Sequence, residues 1–365
     1  MKVHVVGAGI TGIMSAYYLA KKGCEVTVYD SRPFVAMECS YANGGQISVC
    51  NSETWNNWPT VWKGVKWFFK KDAPLLVRPW PSFRKIAWLA SFLKTTILNE
   101  GVRNTATTIR IALESRKLYE EIIKEEGLVF DRTTGGMMHI FTNETDLKNA
   151  ESVAELFKAN GCEWMLLTPE QVRAREPSLR YFTGITGGVY TSGDWSGDIH
   201  KFCTYLASIL KSKYGVKFEL GKTIEDPRTL DAPVVLANGH QMYDMAKLID
   251  DPINVYPVKG YSITIELEDK NSQNSAPVLP LLDNNVKIVT ARMGNRLRVA
   301  GTAEFDDVNY DIRRDRIEPL LDWVHKNFPG INTHNYSQWA CLRPMSADML
   351  PIVRKSKTYD NIYFH

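Results

Sequence analysis

The stretch Gly7-Ala8-Gly9-Ile10-Thr11-Gly12 constrains the fold of this chain more than any other. It follows the β-branched run at residues 2–6 and precedes the small, apolar residues 13–22, so it stands where a buried parallel strand gives way to a helix. Each glycine answers a separate demand: Gly7 permits the tight turn, Gly9 lets the backbone approach a pyrophosphate, and Gly12 lets helix and strand pack closely. The helix start then offers free N–H groups and partial positive charge to an anion. Gly23 caps the helix, residues 25–29 return as a second strand, and Asp30 closes it 18 residues past Gly12. A carboxylate there accepts hydrogen bonds from ribose hydroxyls and would repel the 2′-phosphate of NADP. A βαβ unit with a dinucleotide site is the expectation.

The polar stretch Ser40-Tyr41-Ala42-Asn43-Gly44-Gly45-Gln46-Ile47-Ser48 suits backbone contact with a flat ring system or a pyrophosphate, and by texture alone a surface turn. There is no second G-x-G-x-x-G, so one dinucleotide serves as both cofactor and redox centre. Further on, residues 105–126, 146–160 and 198–214 read as helices, the last with Asp198 near its start. Residues 184–190, 216–220 and 233–236 read as strands, and 261–267, 286–290 and 296–300 as an antiparallel sheet. The expected fold class is α/β: a Rossmann-type domain (1–50, 190–250 and 335–365) interleaved with an α+β substrate domain (51–189 and 251–334) that contains the antiparallel sheet.

A net charge of +3 on 365 residues gives no reason to expect a nucleic-acid partner. The six cysteines form no C-x-x-C pair and have no neighbouring histidines, so no metal site is expected, and scattered thiols fit a cytoplasmic protein. The N-terminus enters a strand at once and lacks a signal-peptide pattern, and no run of about 18 apolar residues suggests a spanning helix. Residues 51–110 differ in texture. They hold six of the ten tryptophans and ten Lys/Arg against three Asp/Glu. Trp58, Trp62 and Trp67 with Lys63, Lys66, Lys70 and Lys71 suit a peripheral contact with the inner face of the cell membrane, or a packed core with a solvated rim.

Four blocks carry a family resemblance: Ala42–Ser48, Pro257-Val258-Lys259-Gly260-Tyr261-Ser262, residues 295–301 (NRLRVAG) and Leu342-Arg343-Pro344-Met345. In order and spacing the chain resembles the small subunit of bacterial D-amino acid dehydrogenases, within the D-amino acid oxidase/glycine oxidase superfamily. The resemblance implies non-covalent FAD and oxidation of a D-amino acid to an imino acid, which water hydrolyses to a 2-oxo acid and ammonia. It implies that electrons pass to a quinone or another acceptor rather than to oxygen. It carries over Gly7, Gly9, Ile10, Thr11, Gly12 and Asp30 as FAD contacts. Arg32, Ser40, Asn43, Gly45, Gln46 and Ile47 are implied near the pyrophosphate and flavin, Val216 on the adenine side, and Ala237 and Gly239 where a strand end approaches the cofactor. Two features depart from the family: Cys341 stands where glycine is common, and the family continues past Phe364-His365 into a Gly-His-Gly segment that opens a helix toward the flavin.

Moving hydride from Cα to flavin N5 requires the protein to orient Cα and hold the carboxylate, a task suited to arginine's planar fork. Arg343 resembles the superfamily's carboxylate-binding arginine; Tyr261 is expected either to add a hydroxyl to that carboxylate or to pack its ring. Arg296 and Arg298 share a strand face by alternation and, with Arg292, fit a polar sheet surface rather than catalysis. His139, His200 and His240 are candidate bases by residue type alone. The competing functions are a secondary-amine oxidase or dehydrogenase acting on hydroxyproline, proline, sarcosine or glycine, and an inactive flavoprotein fragment.

Overall fold

The glycine turn lies between β1 (Lys2–Val6) and α1 (Ile10–Lys21), and β2 (Glu25–Asp30) pairs parallel to β1, with Lys2 opposite Glu25 and Val6 opposite Tyr29. These positions come from a computed structural model, which describes residues 1–68, 75–78 and 80–365. Val234–Leu236 lies parallel on the other side of β1, followed by Ile362–Phe364, while Lys217–Leu220 lies outside β2. Arg354–Lys355 closes the far edge as an antiparallel strand. The chain runs outward from β1 to both sides, so a crevice opens at the carboxyl ends of β1 and Val234–Leu236. Ile13, Ala16 and Tyr17 of α1 pack on Val26 and Val28, joined by Phe202, Cys203 and Leu206 of the helix Ile199–Lys213. The larger aliphatic and phenyl side chains among them each contribute roughly 1.5–3 kcal/mol by leaving water. Asp198 caps that helix, its carboxylate accepting the Lys201 N–H at 3.0 Å.

A second, largely antiparallel sheet is built on Val255–Glu266, which pairs with Tyr336–Ser346 on one side and Arg296–Phe305 on the other. Ile288–Met293, Leu281–Asp283, Met137–Phe141, Gly187–Thr191 and Met165–Leu167 extend it. Residues 335–365 therefore divide: Tyr336–Ser346 joins this sheet, and only Arg354–Lys355 and Ile362–Phe364 join the parallel one.

Alternation gives the second sheet two distinct faces. Ser262, Thr264 and Arg298 face the 41–45 loop, with Ser262 Oγ donating to Ala42 O at 2.7 Å and Arg298 Nη1 to Asn43 O at 2.9 Å. Tyr261, Ile263, Ile265, Leu297 and Val299 face the opposite way, into a core shared with Ile317, Leu320 and Val324 of the helix Arg314–Asn327. The helices expected at 105–126 and 146–160 are Gly101–Glu126 and Glu144–Ala159; the second starts at an Asn143 cap.

Candidate active site

The glycine turn is set by contacts that leave no room for side chains. Gly7 has φ +108°, and a Cβ on it would stand 2.3 Å from Ala237 O; a Cβ on Gly12 would meet Gly7 O at 1.8 Å. Gly9 differs. A Cβ there would meet only Ser40 Oγ, at 3.6 Å, so its outer side is open, and as the N-cap of α1 it brings no side chain to the first-turn N–H groups. Asp30 fixes the turn from below: Oδ2 accepts the Ala8 N–H at 2.6 Å and Oδ1 the Arg32 N–H at 2.8 Å. Ser40 Oγ accepts the Ile10 N–H at 3.0 Å, which ties the following loop to the helix start. Arg32 Nε donates to Glu38 at 2.6 Å at the rim.

The 43–47 segment crosses from this turn to the second sheet. Asn43 Oδ1 accepts the Gly45 N–H at 2.9 Å, and Gly45, at φ +64°, tucks against Met293 and Gly197 where any Cβ would collide. Gln46 Nε2 donates to Leu281 O and Thr290 O, and Ile47 pairs with Trp195. Past Ile47, the wholly buried Asp194 carboxylate accepts the N–H groups of Val49 and Cys50 at 3.0 and 3.3 Å, Thr191 Oγ1 at 2.8 Å and Arg116 Nη1 at 3.0 Å.

On the sheet face toward the loop, Arg343 stands opposite Val258, two pairs along from Gly260 and Cys341. Its guanidinium lies flat over Gly260, where a Cβ would be 2.3 Å from Nη2. Half-buried, Arg343 has no hydrogen-bonding or ion-pair partner among the described residues. Beyond the end of Val234–Leu236, Asn238 Oδ1 and His240 Nδ1 are also buried without a partner among the described residues. An open glycine turn at a helix start, orphaned polar atoms and an unpaired cation together fit an anionic dinucleotide with a carboxylate-bearing ligand beside it.

A family model described as FAD dependent oxidoreductase matches residues 2–365. The chain belongs to this family of FAD-dependent oxidoreductases. The chain is 41% identical to D-amino acid dehydrogenase 3 of Mesorhizobium japonicum, over 98% of this chain and 90% of that relative. It is 36% identical to a D-amino acid dehydrogenase of Paramagnetospirillum magneticum, over 97% and 87%. Among solved structures, glycine oxidase from Geobacillus kaustophilus superposes with a TM-score of 0.75 at 17% identity, covering 99% of this chain and 87% of that one. That likeness, shared by an L-proline dehydrogenase from P. horikoshii (TM-score 0.72, 15% identity, 100% and 86% covered), is one of fold.

FAD is the cofactor of this oxidoreductase, and the crevice gathers most residues expected to hold it. Gly7, Gly9, Ile10, Thr11, Gly12, Asp30, Ser40 and Ala237 converge on the glycine turn, with Arg32 at its rim; Gly239 has φ +61°, and a Cβ on it would stand 4.0 Å from Pro344, the neighbour of Arg343. Asn43, Gly45, Gln46 and Ile47 form the bridge to the second sheet.

Two expectations need correcting. Val216 lies at the amino end of Lys217–Leu220, whose carboxyl end, Leu220, is the part paired with Asp30. Four residues of strand, roughly 13 Å, separate it from the crevice, and its N–H is spent on Leu210 O at 3.0 Å. The segment that does pass Asp30 is Gly221–Ile224: Lys222 N–H donates to Asp30 O at 2.9 Å. Tyr261 is 1% exposed on the far face of the second sheet, its hydroxyl donating to Glu304 at 2.5 Å, so it does not meet Arg343.

Of the other candidates, Arg298 is buried and braces the loop; burial pushes its pKa down to about 10. Arg296 pairs with Asp131 and Asp198, and Arg292 donates to Gln273 O. His139 lies against Cys50 Sγ at 3.0 Å, and burial pushes its pKa down to about 4, which leaves it neutral. His240 is likewise pushed down to about 4, first by burial and then by Arg84, and bonds Tyr310. His200 packs on Tyr41. Sequence reasoning missed the roles of Asp194 and Gly260: an acid in a strand connection belongs to no motif, and Gly260 stood in a family block without a part of its own, although a glycine interior to a strand does signal close approach by another group.

Proposed function

We propose that this oxidoreductase dehydrogenates D-amino acids at the Cα–N bond, with Arg343 holding the substrate carboxylate. The observation that carries the reading is the unpaired guanidinium of Arg343, laid flat on Gly260 on the sheet face turned to the crevice. A planar fork of donors with no protein partner is matched by a carboxylate, which it binds in a bidentate manner. FAD, when bound, supplies the two-electron acceptor. The chain's own part is to orient the substrate: Arg343 fixes the carboxylate, Gly260 keeps the guanidinium flat, and Asp194 and Arg298 hold the 43–50 segment at the cofactor. The amino acid enters with its amine neutral, so the site needs no strong base. The D-amino acid dehydrogenase relatives, matched over 98% and 97% of the chain, support the substrate class.

Anaerobic mixing of the FAD-loaded protein with D-alanine or D-proline should bleach the flavin colour, while the L-enantiomers leave it. Bleaching by sarcosine or glycine alone would move the assignment to a secondary-amine or glycine enzyme. Colour that outlasts every D-amino acid would overturn the reading.

The electron acceptor we propose is a membrane quinone, reached through an apolar face of the 51–110 insert. Trp88 packs into the core with Phe92 and Tyr256, but Trp62, Trp80 and Phe83 are 61%, 74% and 84% exposed, and Trp58 and Ile97 are exposed as well. Lys63 and Lys66 lie on the same helix, Trp58–Phe68; Lys70, Lys71 and the side chain of Trp67 lie outside the described residues. No helix among the described residues is long and apolar enough to cross a membrane. Exposed aromatic rings with flanking lysines suit a peripheral contact with anionic lipid. Co-sedimentation with phosphatidylglycerol vesicles that Trp62→Ser and Trp80→Ser abolish together is expected; retention in the supernatant would exclude it.

A further inference from the structure

We propose that Arg298 raises the reduction potential of bound FAD, acting through the Asn43 peptide group on which its guanidinium rests. Arg298 is 4% exposed, on the sheet face toward the 41–45 loop. Its Nε donates to Oγ1 of Thr264, the residue opposite it on the neighbouring strand, at 2.7 Å, and its Nη1 donates to Asn43 O at 2.9 Å. No carboxylate pairs with it among the described residues. Arg296, two residues back on the same strand, takes Asp131 and Asp198 at 2.9 and 2.7 Å. Even with its pKa lowered to about 10 by burial, Arg298 stays protonated at neutral pH. A cation sealed in without a counter-charge costs stability, so its place behind this loop calls for a return.

The return lies in how the loop peptides are turned. Ser262 Oγ holds the Ala42 carbonyl at 2.7 Å, and Arg298 holds the next one, that of Asn43. In a planar trans peptide the N–H points opposite to the C=O. The N–H groups of Asn43 and Gly44 are therefore turned away from the sheet, and neither has an acceptor among the described residues. The following N–H, of Gly45, is spent on Asn43 Oδ1. Two successive free N–H groups make an element that binds negative charge. They stand between Ser40, which is tied to the glycine turn, and Gln46–Ile47, which form the bridge to the second sheet. A cation on the carbonyl side polarises each peptide it touches and makes the N–H beyond a stronger donor.

Hydride transfer carries two electrons and one proton, so one unit of negative charge is added on the cofactor side. Fixed donors backed by a buried positive charge stabilise that charge with no reorganisation at the moment of reaction. Arg298 is thus a positioning residue: it touches the Asn43 peptide, and its charge favours the reduced state.

The test measures the midpoint potential of the FAD-loaded full-length protein against a reference dye, together with its affinity for sulfite, which adds to the oxidised ring as an anion. Neither reading needs an amino acid, so both stand apart from the substrate assignment. Arg298→Gln keeps a donor for the Asn43 carbonyl and loses the charge. Sulfite binding should weaken about tenfold and the potential fall by about 30 mV, the same factor for a two-electron couple. Thr264→Asp leaves Arg298 in place but sets a carboxylate against its Nε, and should produce the same fall. Arg298→Lys keeps the charge and should stay near the native potential. A native potential in Arg298→Gln or in Thr264→Asp would overturn the proposal. A fall in Arg298→Lys equal to that in Arg298→Gln would overturn it too, and leave Arg298 a brace for the loop. Should Arg298→Gln fail to fold, Thr264→Asp decides alone.

Discussion

The second sheet carries charge on both faces, and the two faces treat it in opposite ways. On the far face Lys259 and Glu304 are wholly buried 3.4 Å apart, and Arg78, Arg313 and the Tyr261 hydroxyl complete the set around Glu304. Burial works against ionisation of Glu304, but Tyr261, Lys259 and Arg313 outweigh it and leave its carboxyl below the ordinary range. On the crevice face Arg343 has a glycine beneath it and no counter-charge among the described residues. A buried charge answered on every side is part of the framework. A half-buried charge left unanswered is one that a ligand can answer, as we propose for Arg343.

The strongest way to break this contrast is on the far face. Lys259→Met removes a cation from a sealed pair and should destabilise the fold by about 3–5 kcal/mol, read as a lower midpoint in urea. The folded fraction should retain its KM for a D-amino acid. A stable variant with a raised KM would make the far face part of the site.

On the crevice face the expected pattern is reversed. Arg343→Ala should raise KM about 100-fold, which corresponds to nearly 3 kcal/mol of lost charge-assisted binding, with FAD affinity and melting temperature nearly unchanged. Equal loss of FAD would make Arg343 a structural residue.

What the sequence reveals divides along the same line. The glycine turn, Asp30 and the Asp198 cap are local chemistry, each fixed within a few residues, and all three stand where expected. Arg343 was singled out through its Leu-Arg-Pro-Met block, and the structure leaves it without a partner among the described residues. Tyr261 was not, because its direction depends on a register shift at Gly260/Tyr261 and on which face the 41–45 loop covers from far away in sequence. Val216 failed for a similar reason: its strand was foreseen, but only the parallel pairing with β2 shows which end meets the crevice. Asp194 gave no signal, since its role is to accept N–H groups of a segment about 145 residues away.

Gly260 sharpens the comparison at the point where the two faces share a strand. Gly260→Ala places a methyl where the guanidinium of Arg343 now lies, 2.3 Å from Nη2, and the far face does not feel it. Arg343 must tilt, so KM should rise about tenfold, with stability changed little. An unchanged KM would mean that the flat seat of Arg343 is unimportant for the carboxylate.

The smallest effect on catalysis should come from Tyr261→Phe, which separates packing from chemistry in a single atom. The ring stays in the core formed with Ile263, Leu297 and Leu320, and only the bond to Glu304 is lost. Glu304 keeps Lys259, Arg78 and Arg313, so the cost is that of one hydrogen bond to a charged, still-paired acceptor, about 1.5–3 kcal/mol at most. With no part of the hydroxyl turned to the crevice, kcat and KM should match the native enzyme within error while the urea midpoint falls slightly. A KM shift comparable to that of Gly260→Ala would instead show that the phenol reaches the substrate in the working enzyme and that the two faces are coupled through the strand they share.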